Sequence, residues 1–196
     1  GRNIWGTPSN ASADWAWIQH MITSMKDKTG GCAVIMPQSV LFHVGKEGQM
    51  RQQLVDSDLI ECVITLVGGV FFAAGVSACI LLLKKGKSDV HKNKICLIDA
   101  SNIYTPKRAQ KVMTQDNIDE VFRLYQNYDN VVDKCQIVSR FDVKDTLMPK
   151  NYIQKSSSQT INPTEVKRSY LSAYERMVEN EKKMKKLLKE GGYVNE

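Results

Sequence analysis

The first block of periodic apolar residues predicts an amphipathic helix. Its apolar side chains fall on one helical face, at the i, i+3, i+4 and i+7 positions Ile18, Met21, Ile22 and Met25. Ser12 is expected to cap this helix, and the glycine pair at 30–31 is expected to end it. A second helix is expected near residues 49–56.

Short, wholly apolar runs between and after these helices predict strands at 32–36, 59–66, 78–83 and 94–99. The first run is expected to be covered on both faces of a sheet. Strands that alternate with helices favour a mostly parallel, doubly wound α/β sheet. Because the last strands are separated by short connections, an antiparallel hairpin is expected at one edge.

From Thr114 onward the pattern changes. Thr114 is expected to cap a helix whose apolar face carries Ile118, Val121, Phe122 and Tyr125. A serine-rich linker at 156–161 precedes a long terminal helix at 162–190, whose Asn-Pro-Thr-Glu start supplies a cap, a proline and an acidic residue. The predicted organisation is an α/β domain at 1–104, a helical and irregular extension at 105–155, the linker and the terminal helix.

Composition narrows the class of protein. The 196 residues are 42% hydrophobic and 24% charged, as in ordinary globular domains, and a net charge of +6 is compatible with a nucleic-acid partner without requiring one. Five widely spaced cysteines indicate free thiols in a reducing cytoplasm, and three histidines without metal-ligand spacing predict no metal site. Three glycines interrupt the longest apolar stretch, 63–83, which argues against a membrane span.

An ordered set of segments carries a family resemblance. In chain order they are ADWAWIQH (13–20), VIMPQSVLF (34–42), GKEG (45–48), RQQL (51–54), LIECVI (59–64), VFFAAGVSACIL (70–81) and IDAS (98–101). In this order and spacing they resemble the second half of the modification subunits of type I restriction–modification systems, which are adenine-N6 DNA methyltransferases. The resemblance covers residues 1–113 well and the remainder loosely. Because the sequence also begins without an initiator methionine, the resemblance predicts that the chain is the C-terminal part of such a subunit.

The resemblance implies a partial Rossmann-like methyltransferase sheet and transfer of a methyl group from S-adenosylmethionine to adenine N6 in DNA. The target adenine must be flipped out of the duplex, because its amino group is unreachable within the base stack. The sequence lacks the family's glycine loop for the cofactor. It also lacks the Asn-Pro-Pro-aromatic loop, because the nearest match, Asn162-Pro163-Thr164, has neither the second proline nor the aromatic residue. No catalytic or cofactor-binding residue is therefore predicted, and the chain alone is expected to be inactive.

Phe71 and Phe72 are the predicted contacts to the target base. The resemblance implies that an aromatic residue at this place, at the mouth of the sheet between two strands, packs against the extruded base. Two rings on a turn after a strand are well placed to stack on a flat base. The alternative is that both rings fill the core. Residues 67–69 and 76–77 depart from the family's pattern, which leaves the shape of this turn open.

Lys107, Arg108 and Lys111 form a basic cluster that is compatible with contact to the DNA backbone, although a solvated turn would show the same pattern. His43 lies in a loop predicted at 38–48 and stands where the family more usually has arginine. It is interpreted as a solvated loop residue.

The terminal helix carries a predicted face of large side chains, Tyr170, Tyr174, Met177 and Met184. This face is either an intramolecular packing stripe or a docking surface, for which methionine is well suited. The resemblance implies docking onto the long helices of the specificity subunit, with the restriction subunit joining the full complex and no membrane involved. The alternative to a methylase fragment is a non-catalytic interaction module on an α/β scaffold.

Overall fold

The structure is a computed structural model, and it describes residues 1–10, 12–71, 76–108, 110–156 and 163–191. The chain divides into two compact units, Gly1–Lys155 and Ser156–Glu196. Helices and strands of the first unit follow in the order α1 (Asp14–Ser24), β1 (Gly31–Pro37), α2 (Lys46–Asp56), β2 (Ile60–Leu66), β3 (Ala78–Lys84), β4 (Lys94–Ala100), β5 (Thr105–Lys107), β6 (Gln110–Val112), α3 (Gln115–Asn127) and β7 (Cys135–Ser139). The second unit contains α4 (Pro163–Glu190).

The main sheet has the strand order β1-β3-β2-β4-β7. Strand β3 lies between β1 and β2 and is antiparallel to both, and β7 is antiparallel to β4. Among the pairings of the described strands, only β2 with β4 is parallel. The prediction of a mostly parallel sheet is therefore wrong for these strands. Strands β1, β2 and β4 still run in the same direction, because β3 enters the sheet as an antiparallel strand between two of them.

Helices pack on both faces of this sheet. On one face, α1 and α2 build a core cluster with alternate strand residues, which includes Trp15, Ile18, Leu54, Val63, Leu81 and Leu97. On the other face, α3 contributes to a second cluster that includes Val121, Ile64, Ile98 and Cys135. Strand β2 is buried along its whole length, as its continuous apolar run predicts.

Strand β1 is covered on one face only. Val34 and Met36 are buried, whereas Gly31, Ala33 and Ile35 are exposed. Successive side chains of a strand point to opposite faces, and the buried set joins the cluster formed with α1. The prediction that β1 is covered on both faces is wrong, because an apolar run alone does not show whether an element packs on the second face.

The first two helices are confirmed with shifted bounds, and α1 ends at Ser24, before the glycine pair at 30–31 that is predicted to end it. Helix α1 begins at Asp14 with Ala13 in the cap position, and the Ser12 hydroxyl accepts a hydrogen bond from the Asp14 backbone N–H at 3.2 Å. Ser12 therefore lies one residue before the cap it was predicted to occupy. Helix α2 begins at Lys46 rather than near residue 49.

Helix α3 is confirmed together with its predicted cap. The Thr114 side chain accepts from the backbone of Asn117, and the Asn117 side chain accepts from the Thr114 backbone N–H. Val121 is buried, but Ile118 and Phe122 on the predicted apolar face are exposed. No described helix is both long and apolar enough to cross a membrane. The predicted cap Asn162 and residues 157–161 of the predicted linker lie outside the described residues.

Candidate nucleic-acid interface

The ends of three strands meet at one edge of the sheet. Strands β1, β2 and β4 run in the same direction, so their carboxyl ends, at Pro37, Leu66 and Ala100, share that edge. We call the segments that leave these ends, residues 38–45, 67–71 and 101–108, the carboxyl rim. Ligands of open α/β sheets bind at such edges, because loops there can diverge from a rigid scaffold.

Phe71 follows the turn after β2. Gly68 and Gly69 form this turn, and Gly69 has a φ of 82°, a left-handed conformation that glycine adopts without steric cost. The neighbouring Val67 is buried, whereas the Phe71 side chain is 36% exposed and belongs to neither core cluster. Phe72 lies outside the described residues.

Residues 38–45 form a short 3-10 turn and a bend, and Arg51 of α2 holds them in place. The guanidinium donates to the carbonyl oxygen of His43 at 2.6 Å and to that of Asp145. Because Arg51 is buried, the cost of removing its charge from water lowers the pKa of the guanidinium. The His43 side chain is exposed, with its ring edge-on to Phe42.

A buried hydroxyl joins the ends of β2 and β4. Thr65 donates from Oγ1 to Oδ1 of Asp99 at 3.1 Å, and the Ser101 backbone N–H donates to the same oxygen at 3.0 Å. The sequence pattern assigns no site role to these residues or to Arg51. For Thr65, Asp99 and Ser101 the available signal is a polar side chain at, or just after, the end of an apolar strand.

The basic cluster lies on a β-hairpin that leaves the end of β4. Lys107 and Arg108 are exposed at the turn of β5 and β6, and Lys111 places its ammonium 5.1 Å from the centre of the Tyr104 ring. The Thr105 hydroxyl, which donates to Asn117, ties the hairpin to the start of α3. The three cationic side chains therefore extend from an anchored hairpin into solvent.

Helix α4 presents its predicted face to solvent within the second unit. The large side chains of this face are all at least half exposed: Tyr170, Tyr174, Met177 and Met184. The rings of Tyr170 and Tyr174 stack with centroids 6.4 Å apart. Ion pairs such as Glu179–Lys183 support the helix at the i, i+4 spacing.

Residues 2–162 match the family described as N-6 DNA Methylase. The chain belongs to this family. It is 32% identical to the type I restriction enzyme MjaVIII methylase subunit of Methanocaldococcus jannaschii over 166 residues, which are 83% of this chain and 27% of that protein. It is 30% identical to the MjaVII methylase subunit of the same organism over 195 residues, which are 96% of this chain and 32% of that protein. The predicted resemblance to type I modification subunits is confirmed.

Solved structures show the same fold. The type I restriction-modification system methyltransferase subunit from Streptococcus thermophilus superposes with a TM-score of 0.70 at 24% identity, over 75% of this chain and 31% of that chain. The type I restriction enzyme EcoKI M protein superposes with a TM-score of 0.57 at 18% identity, over 76% of this chain and 39% of that chain. This N-6 DNA methylase chain thus has a mixed α/β methyltransferase fold, and it spans about a third of the length of the proteins that it resembles.

N-6 DNA methylases use S-adenosylmethionine, and the described carboxyl rim does not fit this cofactor. Hydrogen bonds from Thr65 and Ser101 already engage the carboxylate of Asp99 at the end of β4. The turn after β2 presents a phenylalanine rather than a polar group that would hold a ribose or a carboxylate. The cofactor is therefore not assigned to the described residues of this rim.

Proposed function

We propose that this chain forms the target-base side of a type I adenine-N6 DNA methylase. In the complete methylase, a methyl group passes from S-adenosylmethionine to N6 of an adenine flipped out of the duplex. The chain holds the base and contacts the DNA backbone, whereas the cofactor loop and the Asn-Pro-Pro-aromatic loop belong to sequence that these 196 residues do not contain. The chain alone is accordingly inactive.

One observation carries this proposal. The Phe71 turn and the basic hairpin leave from adjacent parallel strands, whose last paired residues are Leu66 and Ala100. An exposed aromatic ring and a group of cations therefore lie along one edge of the sheet. A flat purine gains from stacking on an aromatic face, and phosphates gain from nearby lysine and arginine. Lys107, Arg108 and Lys111 take the phosphate role in this arrangement.

Helix α4 is the element that binds a partner subunit in this proposal. Its face of Tyr170, Tyr174, Met177 and Met184 is exposed within its own unit, and aromatic and methionine side chains suit an interface between helices. We infer that this face docks onto the specificity subunit, which selects the DNA sequence, and that the restriction subunit joins the resulting complex. A chain that docks in this way without any methylation by the complex would be an interaction module instead.

The test compares two exposed phenylalanines that lie at opposite ends of the strands, Phe71 at the carboxyl rim and Phe141 at the other end. Phe141 follows β7, whose last residue, Ser139, pairs with Lys94 at the start of β4, so it lies away from the carboxyl rim. In a complete methylase that contains this chain, Phe71→Ala is expected to lower kcat/KM for DNA methylation by about fivefold to 150-fold, equivalent to about 1–3 kcal/mol for one stacked base. Phe141→Ala is expected to leave it unchanged.

Fluorescence of 2-aminopurine at the target position reports base extrusion in the same samples. Phe71→Ala is expected to reduce this signal without lowering the melting temperature. Parallel losses of activity and stability would instead assign Phe71 to the core. Unchanged activity would show that Phe71 does not contact the base. Methyl transfer by the 196-residue chain alone would contradict the proposal that the cofactor loop and the Asn-Pro-Pro-aromatic loop belong to other sequence.

A further inference from the structure

Gln38 reaches both sides of the Phe71 turn. Its side-chain amide donates to the carbonyl oxygens of Leu66 and Ala78, each at 3.1 Å. Its backbone N–H donates to the carbonyl oxygen of Ser77 at 2.9 Å. Leu66 ends β2 and Ala78 begins β3, so these acceptors are the two points between which the chain leaves the sheet and returns to it.

The strand ladder does not make this connection itself. Pairing of β2 with β3 ends at Thr65 opposite Cys79, one residue short of Leu66 and Ala78. The amide of Gln38 therefore bridges the two strands where their register ends. The two sides also approach closely, because a Cβ atom on Gly68 would lie 2.9 Å from Oγ of Ser77. A bulkier or displaced chain at this point would move the turn that carries Phe71.

We propose that Gln38 is a positioning residue that sets the place of the Phe71 ring relative to the target base. This inference rests on the proposed function of Phe71. Gln38 follows β1, so it couples the end of β1 to the segment between β2 and β3. A glutamine suits this role because its amide nitrogen has two N–H donors, one for each carbonyl. Neither methionine nor an ionised glutamate of similar size can donate either bond.

The first experiment measures amide hydrogen exchange in the full 196-residue chain. Gln38→Met and Gln38→Glu are expected to accelerate exchange of the residue 38 amide, which donates to the carbonyl of Ser77, by about tenfold, as the loss of one or two hydrogen bonds predicts. Gln49→Met and Gln49→Glu are the matched controls, because Gln49 is exposed on α2. Tryptophan fluorescence verifies folding. Because one variant is apolar and the other is charged, the test still works if either of them fails to fold. Unchanged protection of the residue 38 amide in a folded variant would overturn the inference.

The second experiment uses a complete methylase that contains this chain, with 2-aminopurine at the target position. Gln38→Met is expected to reduce the extrusion signal and kcat about tenfold, while the affinity for DNA, dominated by phosphate contacts, stays the same. Global damage would weaken both affinity and extrusion, and that result would also overturn the inference. If Phe71→Ala leaves extrusion intact, the proposed function fails. If Phe71→Ala reduces extrusion and Gln38→Met does not, the positioning role alone fails.

Discussion

Replacing His91 with phenylalanine is expected to destabilise the first unit by leaving the buried carboxylate of Glu61 without a partner. Glu61 lies in β2 at a register shift in its pairing with β3, and its side chain is only 2% exposed. Its Oε1 lies 2.7 Å from Nδ1 of His91, and Oε2 has no hydrogen-bond partner within the described part of the chain. His91 also stacks on the ring of Tyr128, with centroids 3.7 Å apart.

The expected magnitude follows from what the substitution removes. Leaving a buried polar group without its hydrogen-bond partner typically costs about 1–3 kcal/mol, and more for a carboxylate. The His91 side chain is 23% exposed, and water can screen one side of the pair, so we expect about 2–4 kcal/mol here. Phenylalanine keeps a ring stacked on Tyr128. The loss of unfolding free energy therefore measures the effect on the Glu61 carboxylate rather than a loss of ring stacking.

Urea unfolding followed by tryptophan fluorescence measures this loss. All three tryptophans lie in the first unit, and Trp15 is buried, so the signal reports unfolding of that unit. The double variant Glu61→Met/His91→Phe is expected to recover most of the stability, because an apolar pair carries no desolvated charge. His43→Phe, at an exposed histidine, is the control and should stay within about 0.5 kcal/mol of the wild type.

Two outcomes would refute this reasoning. A His91→Phe variant that loses less than about 0.5 kcal/mol would show that Glu61 needs no partner in the folded protein. A double variant as unstable as His91→Phe would show that the histidine acts through its shape rather than through the carboxylate.

Two further predictions concern acid stability and partner docking. The Ser9 hydroxyl holds the pKa of Glu47 below its usual value, so Glu47 stabilises the fold above its unfolded pKa, and that contribution is lost as the pH falls through the folded pKa. Ser9→Ala is expected to move this loss to higher pH in an acid titration of tryptophan fluorescence, and coincident titration curves would contradict it. Removal of all residues after Ser158 is expected to abolish capture by the specificity subunit without changing tryptophan fluorescence, whereas capture of the shortened chain would place docking outside α4.

The strands could be predicted from the sequence, but their arrangement could not. Apolar runs locate β1, β2, β3 and β4 within a residue or two, because burial of a strand requires such runs. Helix α2 between β1 and β2 correctly predicts that these two strands share a direction. Nothing local shows that β3, which follows β2, will pair on its other side with β1. That choice depends on contacts between residues distant in sequence, such as Cys32 with Leu83.

Strand β7 and the β5–β6 hairpin show a second reason for failure. Their segments are short and partly polar, so their composition does not distinguish them from the irregular extension predicted there. Strand β7 forms because β4 offers an unpaired edge, to which Ile137 and Gln136 pair opposite Cys96 and Leu97. An edge strand of this kind is specified by its neighbour more than by its own sequence.

The candidate site, too, could be predicted from the sequence only in part. The types of residue proposed to meet ligands could be chosen from the sequence, since aromatic and cationic side chains near turns are visible in it. The residues that hold these segments could not, because Gln38 bonds to a backbone carbonyl 28 residues away and Arg51 to one 94 residues away. A backbone acceptor has no side-chain signature, so neither partner of such a bond stands out before the fold is known.

The insertion of β3 makes the chain that carries Phe71 return to the sheet beside the end of β1. With β3 between β1 and β2, the chain that leaves Leu66 returns at Ala78 beside the end of β1, and β4 flanks it on the other side. The Phe71 turn therefore rises between the segment that begins at Gln38 and the segment that leads to the basic hairpin. Had β3 added beyond β7 instead, Ala78 would lie far from the end of β1, and Gln38 could not bond to both Leu66 and Ala78.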